Sequence, residues 1–257
     1  MSAGGETTTA TEDYLRQIYL AQEHSGQDLV SMGRIAELLS VVPGTATAMV
    51  KRLAEGDYLV YEPYSGVRLT QQGQRAALRV VRRHRLVESL LVDVLGLDWS
   101  EVHEEADRLE HAVSDKLLDR IDSYLGYPSV DPHGDPIPDA DGVLRESKLV
   151  PLAECSAGMK VRVARVLDQD ENFLRFVEQH ALKPGTKLDI EQHDPVAAAV
   201  TVRTSRFHAI TMGLPAAAKL LVEESDPGHA RGGGGGGGHT CIDGTNADRS
   251  ADPTVDR

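Results

Sequence analysis

Arg34 to Leu69 reads RIAELLSVVPGTATAMVKRLAEGDYLVYEPYSGVRL, and the fold turns on this stretch. Met32 to Leu39 carries Ile35, Ala36, Leu38 and Leu39 at helical spacing, and Val41-Val42-Pro43-Gly44 stops that helix. A second helix is predicted from Thr45 to Ala54. It buries Ala46, Met49, Val50 and Leu53, leaves Thr45, Thr47, Ala48, Lys51 and Arg52 outside, and ends near Gly56. Tyr58 to Val60 and Val67 to Leu69, around a turn at Tyr64-Ser65-Gly66, read as a small β-hairpin. Helix, tight break, helix and hairpin is the order of a winged helix-turn-helix, whose second helix enters the major groove with its N-terminal half. The DNA-facing candidates are therefore Pro43, Thr45, Thr47, Ala48, Lys51 and Arg52. None of them is well placed for bidentate guanine readout, so phosphate contacts and DNA shape would carry much of the recognition. A helical bundle with a solvent-facing threonine run is the bland reading of the same residues.

Charge sharpens the choice. The 257-residue chain has a net charge of −13, which by itself argues against a polyanion binder. Between Ser31 and Arg85, however, nine Lys and Arg residues face four acids, a local charge of +5. A basic segment inside an acidic chain is a candidate DNA face. With 40% hydrophobic residues, no apolar run near membrane-spanning length and no basic-then-apolar leader at Met1 to Ala10, the sequence predicts a cytoplasmic protein with no membrane partner. Two cysteines, Cys155 and Cys241, exclude a disulfide framework and a Cys-based zinc finger.

Around this segment, Thr11 to Glu23 predicts an amphipathic helix, and Thr70 begins a long helix running to about Val94. Trp99 to about Tyr124 reads as one or two more helices. A Pro, Asp and Gly-rich loop, Pro128 to Gly142, marks a boundary. Beyond it the period shortens to strands at Lys160 to Val166, Lys187 to Gln192, Ala198 to Arg203 and Phe207 to Met212, with a short helix at Phe173 to His180. That spacing suits a small barrel. Seven consecutive glycines at 232 to 238 predict a disordered tail, in which His229, His239 and Cys241 are poor metal-site candidates.

His103, Asp107, Glu110 and His111 recur at i, i+4, i+7 and i+8, within roughly a quarter of the helix circumference at about 100° per residue. His84 and Glu88 form an i, i+4 pair on the preceding helix. A solvated charged face explains any one member more readily than all six. Imidazole and carboxylate without thiolate suit Mn²⁺ or Fe²⁺ better than a closed zinc site.

RRHRLVESLL (Arg82 to Leu91), VHEEADRLEHAVSD (Val102 to Asp115) and DPHGDPIP (Asp131 to Pro138) resemble the metal-dependent repressors of the DtxR, IdeR and MntR type. TEDYLRQIY (Thr11 to Tyr19) and RIAELL…PGTATAMVKRL resemble the same family's first helix and helix-turn-helix, so the likeness covers about Thr11 to Glu224. It implies a mainly α protein with a small β domain: a winged helix-turn-helix at 11–75, a helical metal-binding and dimerisation domain at 76–145, and an SH3-like, FeoA-type barrel at 149–224. Disordered ends would fill 1–10 and 225–257. The resemblance also implies two metal sites. One would use Asp13, Asp107, Glu110 and His111; the other would use His84, Glu88 and His103, completed by an acid from Asp168 to Glu171 of the barrel. Iron-sensing members place Met and Cys where this sequence has Asp13 and Asp107, and harder oxygen ligands point to Mn²⁺. Some manganese sensors carry Glu where Arg16 stands, so Arg16 implies separated rather than closely paired sites.

The resulting expectation is a homodimeric, Mn²⁺-dependent repressor that binds double-stranded operator DNA, controls metal-uptake genes and is no enzyme. Leu90, Leu91, Val94, Leu117 and Ile121 would form the dimer contact by family analogy. An iron-dependent repressor is the alternative within the class. A metallohydrolase activating water is less favoured, since no separate general base or oxyanion group accompanies the cluster. A metal-carrying protein without DNA binding is a third reading.

Overall fold

The computed structural model describes residues 8–145, 147–205 and 209–225. Thr8 is the N-cap of α1 (Thr9–Ser25), its side chain accepting from the Thr11 amide, and Gly26 closes the helix in a left-handed conformation. The helix thus begins inside the segment expected to be disordered; residues 1–7 and the glycine-rich tail from 226 onward lie outside the described residues, as does the expected strand start at Phe207.

Ser31 caps α2 (Met32–Leu38), and Pro43 opens α3 (Pro43–Glu55), where its missing amide costs nothing. β1 (Leu59–Glu62) and β2 (Gly66–Leu69) form the antiparallel wing. Gly66 has φ +142°, and a Cβ there would lie 2.5 Å from the Val30 carbonyl, so the wing packs onto the preceding loop only with glycine. Leu15, Ile18, Ile35, Ala46, Val50, Leu53, Leu59, Val67 and Val81 close one core around this unit.

The long helix α4 (Gln71–Ser89) leaves that core at Val81 and enters the next at Leu86 and Val87. Its expected last turn is π-helical, Leu90–Val94, and ends at Gly96 with φ +71°. The Trp99-to-Tyr124 segment resolves into α5 (Val102–Glu110) and α6 (Asp115–Tyr124), the latter capped by Ser114. Leu91 and Ile121, expected at the dimer contact, instead fill cores of their own protomer, whereas Val94 and Leu117 are exposed.

The Pro128-to-Gly142 loop is not an open linker. Asp131, His133, Asp135 and Ile137 are buried. The Val166 amide donates to the His133 carbonyl at 2.8 Å, and a Cβ on Gly134 (φ +87°) would lie 2.0 Å from the Ala164 carbonyl. The loop therefore lies directly on the third unit, which comprises β3 (Val150–Pro151), β4 (Lys160–Val166), α7 (Glu171–Gln179), β5 (Lys187–Asp194), β6 (Ala199–Thr204), β7 (Ile210–Gly213), α8 (Leu214–Ala217) and β8 (Leu220–Glu224). Its sheet runs β3-β8-β4-β5-β6-β7, antiparallel throughout, with bulges between Val163 and Arg165 and between Ile190 and Gln192 that bend it around one apolar core. This is the small SH3-like sheet domain. Trp99 joins that core from the helical side. Among the described residues, no helix is long and apolar enough to cross a membrane.

Candidate metal centre

α4 and α5 pack side by side, and the i, i+4 spacing of His84 and Glu88 aims both at α5. Glu88 Oε1 lies 2.9 Å from His84 Nε2 and 3.1 Å from His103 Nδ1, and the two imidazoles approach to 3.0 Å. His84, Glu88 and His103 thus converge as expected, with Glu88 wholly buried. Burial opposes charge on His84, but Glu88 and hydrogen bonds to Glu110 and Glu88 outweigh it and hold the imidazole at about 9. Holding a metal there requires the ring to give up that proton.

A second group joins α1 to the end of α5. His111 Nε2 lies 2.9 Å from Asp13 Oδ1 and 3.3 Å from Glu110 Oε1. Burial, and secondarily Glu110, raise the Asp13 carboxyl above its ordinary range against the pull of His111 and Arg16. Glu12, which sequence reasoning missed, holds the other imidazole nitrogen, His111 Nδ1, at 2.8 Å. Adjacent helix residues do not share a face, so Glu12 carried no spacing signal; it reaches His111 from the flank and also pairs with Arg83.

Asp107 does not join this second group. Its Oδ1 accepts from Arg16 Nη2 at 2.7 Å and lies 3.3 Å from His84 Nδ1. Arg16 is buried, donates from Nη1 to Glu110 Oε2 at 2.9 Å, and comes within 2.6 Å of His84 Nδ1. The guanidinium occupies the space among His84, Asp107 and Glu110, a trio otherwise close enough to hold an ion. A fixed cation stands between the two donor groups, which keeps them separate.

The barrel acids are engaged elsewhere. Asp168 pairs with Lys219, Asp170 caps α7, and Glu171 pairs with Arg175. From that segment it is Gln169 that lines the cleft holding His84, Glu88 and His103, a cavity of about 770 Å³. Both convergent groups offer nitrogen and oxygen donors with buried, incompletely partnered oxygens, among them Glu88 Oε2 and Glu110 Oε1, which suits a divalent cation.

At the start of α3 there is no side-chain cap at Val42; Pro43 has no amide and the Thr45 amide donates to the Val42 carbonyl at 3.0 Å. Pro43, Thr45, Ala48, Lys51 and Arg52 are exposed. Thr47 is half-buried, its hydroxyl donating to the Pro43 carbonyl at 2.8 Å.

Three stretches match described families: residues 6–67 the iron-dependent repressor N-terminal DNA-binding domain, residues 70–139 the iron-dependent repressor metal-binding and dimerisation domain, and residues 150–224 the FeoA domain. The iron-dependent repressor IdeR of Mycobacterium leprae is 39% identical over 193 residues, 70% of this chain and 83% of its own. The transcriptional regulator MntR of Bacillus subtilis is 39% identical over 121 residues, 47% of this chain and 83% of its own. A solved manganese-dependent transcriptional repressor in complex with manganese superposes with TM-score 0.77 at 40% identity, covering 84% of this chain and all of that one.

Proposed function

Because the chain belongs to the DtxR family of metal-dependent transcriptional repressors, we propose that Mn²⁺ is the metal it answers to, and that the loaded homodimer binds operators of metal-uptake genes. Members of this family are regulators rather than enzymes.

The donor set carries the reading. Asp13, Glu110 and His111, with Asp107 beside them, offer carboxylate and imidazole but no sulfur, and hard oxygen favours Mn²⁺ over the metals that thiolate selects. When bound, a divalent ion supplies the positive charge that lets Asp13 and Glu110 stay close. Asp13 belongs to α1, which is fixed in the winged-helix core by Leu15 and Ile18, whereas Glu110 and His111 end α5. Holding Asp13 against Glu110 and His111 sets the direction of α1 and, through the shared core, of α3. If that direction matches successive major grooves, metal and DNA strengthen each other's binding by the same factor. His84, Glu88 and His103 would hold a second ion. Exposed Val94, Leu95, Leu109, Leu117 and Tyr124 offer an apolar face to the second protomer.

An anaerobic operator-binding titration of the full-length protein with Mn²⁺ and Fe²⁺ in parallel tests this. Retention of the operator at lower free Mn²⁺ than free Fe²⁺ supports the proposal. Equal or better activation by Fe²⁺ would favour the iron-dependent alternative, in line with the name of the mycobacterial relative.

A further inference from the structure

α1 runs from its Thr8 cap to Gly26 with no interior glycine or proline to hinge it, so it moves as one piece. Asp13 lies in its first half and Glu23 in its last turn. An acid in the last turn is disfavoured by the helix dipole, and the positions three and four away from Glu23 hold Tyr19, Leu20, Gly26 and Gln27, none of them a cation. Its own helix gives Glu23 no support; what it meets outside does. Glu23 Oε1 accepts from Arg165 Nη1 of β4 at 3.3 Å, and Oε2 lies 3.6 Å from Arg85 Nη2 of α4. The Arg165 side chain is 11% exposed and that of Glu23 20%, so water and salt screen the pair little.

Arg165 is itself held from behind. Its Nε pairs with Asp135 of the loop, and the backbone beneath it is fixed to the same loop by the Val166-to-His133 hydrogen bond and by the close approach of Gly134 to Ala164. Arg85 Nη1 in turn donates to the Pro136 carbonyl at 2.5 Å. Burial opposes the charge on Arg165, but Asp135 and then Glu23 more than offset it. α4, the loop and β4 thus meet through backbone groups, whereas Glu23 reaches them from α1 with a carboxylate.

We propose that Glu23 is a positioning residue of the metal sensor: paired with Arg165, it holds α1 in the orientation that brings Asp13 to Glu110 and His111, the group that takes up the activating ion in the function proposed above. The two conditions hold together in the structure. Ligand atoms of Asp13, Glu110 and His111 lie within 4.8 Å of one another while Glu23 sits on Arg165. Contacts at separated points of one helix that form in the same orientation strengthen each other, so breaking the Glu23 pair weakens ion binding at the other group without removing a donor. The barrel takes part in sensing through this carboxylate, although none of its residues belongs to the Asp13 group.

Operator-shift titrations of the full-length protein with Mn²⁺, or anaerobically with Fe²⁺, read the free ion at half-maximal retention. Glu23→Gln keeps the size of the side chain but loses its charge, and the midpoint should rise roughly fivefold to tenfold with the bound-ion stoichiometry unchanged. Glu23→Asp restores the charge and should recover most of that shift. Asp122→Asn breaks a similarly buried pair between α4 and α6, Arg82 to Asp122 at 2.7 Å, and should lower the melting temperature but leave the midpoint alone. Should Glu23→Gln fail to fold, Arg165→Lys takes its place with the same expectation, because one ammonium cannot span Asp135 and Glu23 as the guanidinium fork does. A wild-type midpoint in Glu23→Gln overturns the role, as does an equal shift in Asp122→Asn, which would trace the effect to stability alone. A lost ion in Glu23→Gln would make Glu23 a ligand and overturn it too. No ion-dependent retention by wild type would sink the proposed function as a whole, whereas an active wild type beside an unshifted Glu23→Gln sinks only this role.

Discussion

The two donor groups flanking Arg16 use similar chemistry in different architecture. His84, Glu88 and His103 come from two helices of one core, and none of the three lies on α1, which they meet through Arg16 beside His84. Asp13, Glu110 and His111 come from α1 and α5, and Asp13 sits in a helix that belongs to the winged-helix core. The first group stabilises what is already folded together; the second can report on how two units are oriented. Position across a junction, more than ligand type, makes a metal site a sensor.

The contrast would break hardest at Arg16, whose guanidinium balances Asp107 and Glu110 between the groups. Arg16→Ala leaves buried Glu110 with His84 as its remaining cationic partner and should cost the metal-free protein about 3 kcal/mol in a urea melt. A variant as stable as wild type would mean the groups do not depend on that charge. Next in size, Asp13→Ala should lower Mn²⁺-dependent operator affinity on the order of 100-fold with the dimer intact, whereas His103→Ala should cost roughly fivefold. Equal losses in operator-shift titrations would erase the distinction between the two groups. Glu110→Ala is the poorer probe of the junction, because it also strips Arg16 of a partner. Glu12→Gln leaves the ligands but loosens His111, and about a tenfold weaker Mn²⁺ activation should follow in the same titration. The smallest effect belongs to Asp107→Cys. With Asp107 turned to Arg16 and His84, the Fe²⁺-to-Mn²⁺ activation ratio should rise only a few-fold, roughly 1 kcal/mol; a large shift would place Asp107 among the Asp13 donors after all.

Much of the fold was legible because it is periodic. Ala46, Met49, Val50 and Leu53 announce α3 by spacing alone, and the His103-to-His111 stripe survives as a helix face that packs on α4 and α1. What was not legible depends on partners distant in sequence. The burial of Arg16 has no signal in its own helix; Asp107 and Glu110, some ninety residues on, enclose it. The loop around His133 reads as a domain boundary by composition, since Pro, Asp and Gly ordinarily mark exposed turns; here Asp131 accepts from the local amides and β4 packs against the loop. β4, β5 and β6 fall within two residues of their expected bounds and β7 has its expected start at Phe207 outside the described residues, whereas β3 and β8, short strands without a clear alternation, were not expected. The barrel acid expected in the metal site failed because strand spacing fixes a segment but not which of four neighbouring polar side chains turns inward, and Gln169 is the one that does.

Glu23, near the far end of α1, is paired with Arg165 of the barrel at 3.3 Å and approached by Arg85 at 3.6 Å. Asp13 and Glu23 are ten positions apart, about 15 Å along a helix. α1 is therefore a beam with two supports, one at the metal group and one at the barrel. A beam held at a single point pivots; held at two it has a fixed bearing. The third domain thereby acquires mechanical leverage over the direction of α1 and, through the core they share, of α3, and loosening the Glu23 support would free that end of α1 while every proposed metal ligand stayed in place.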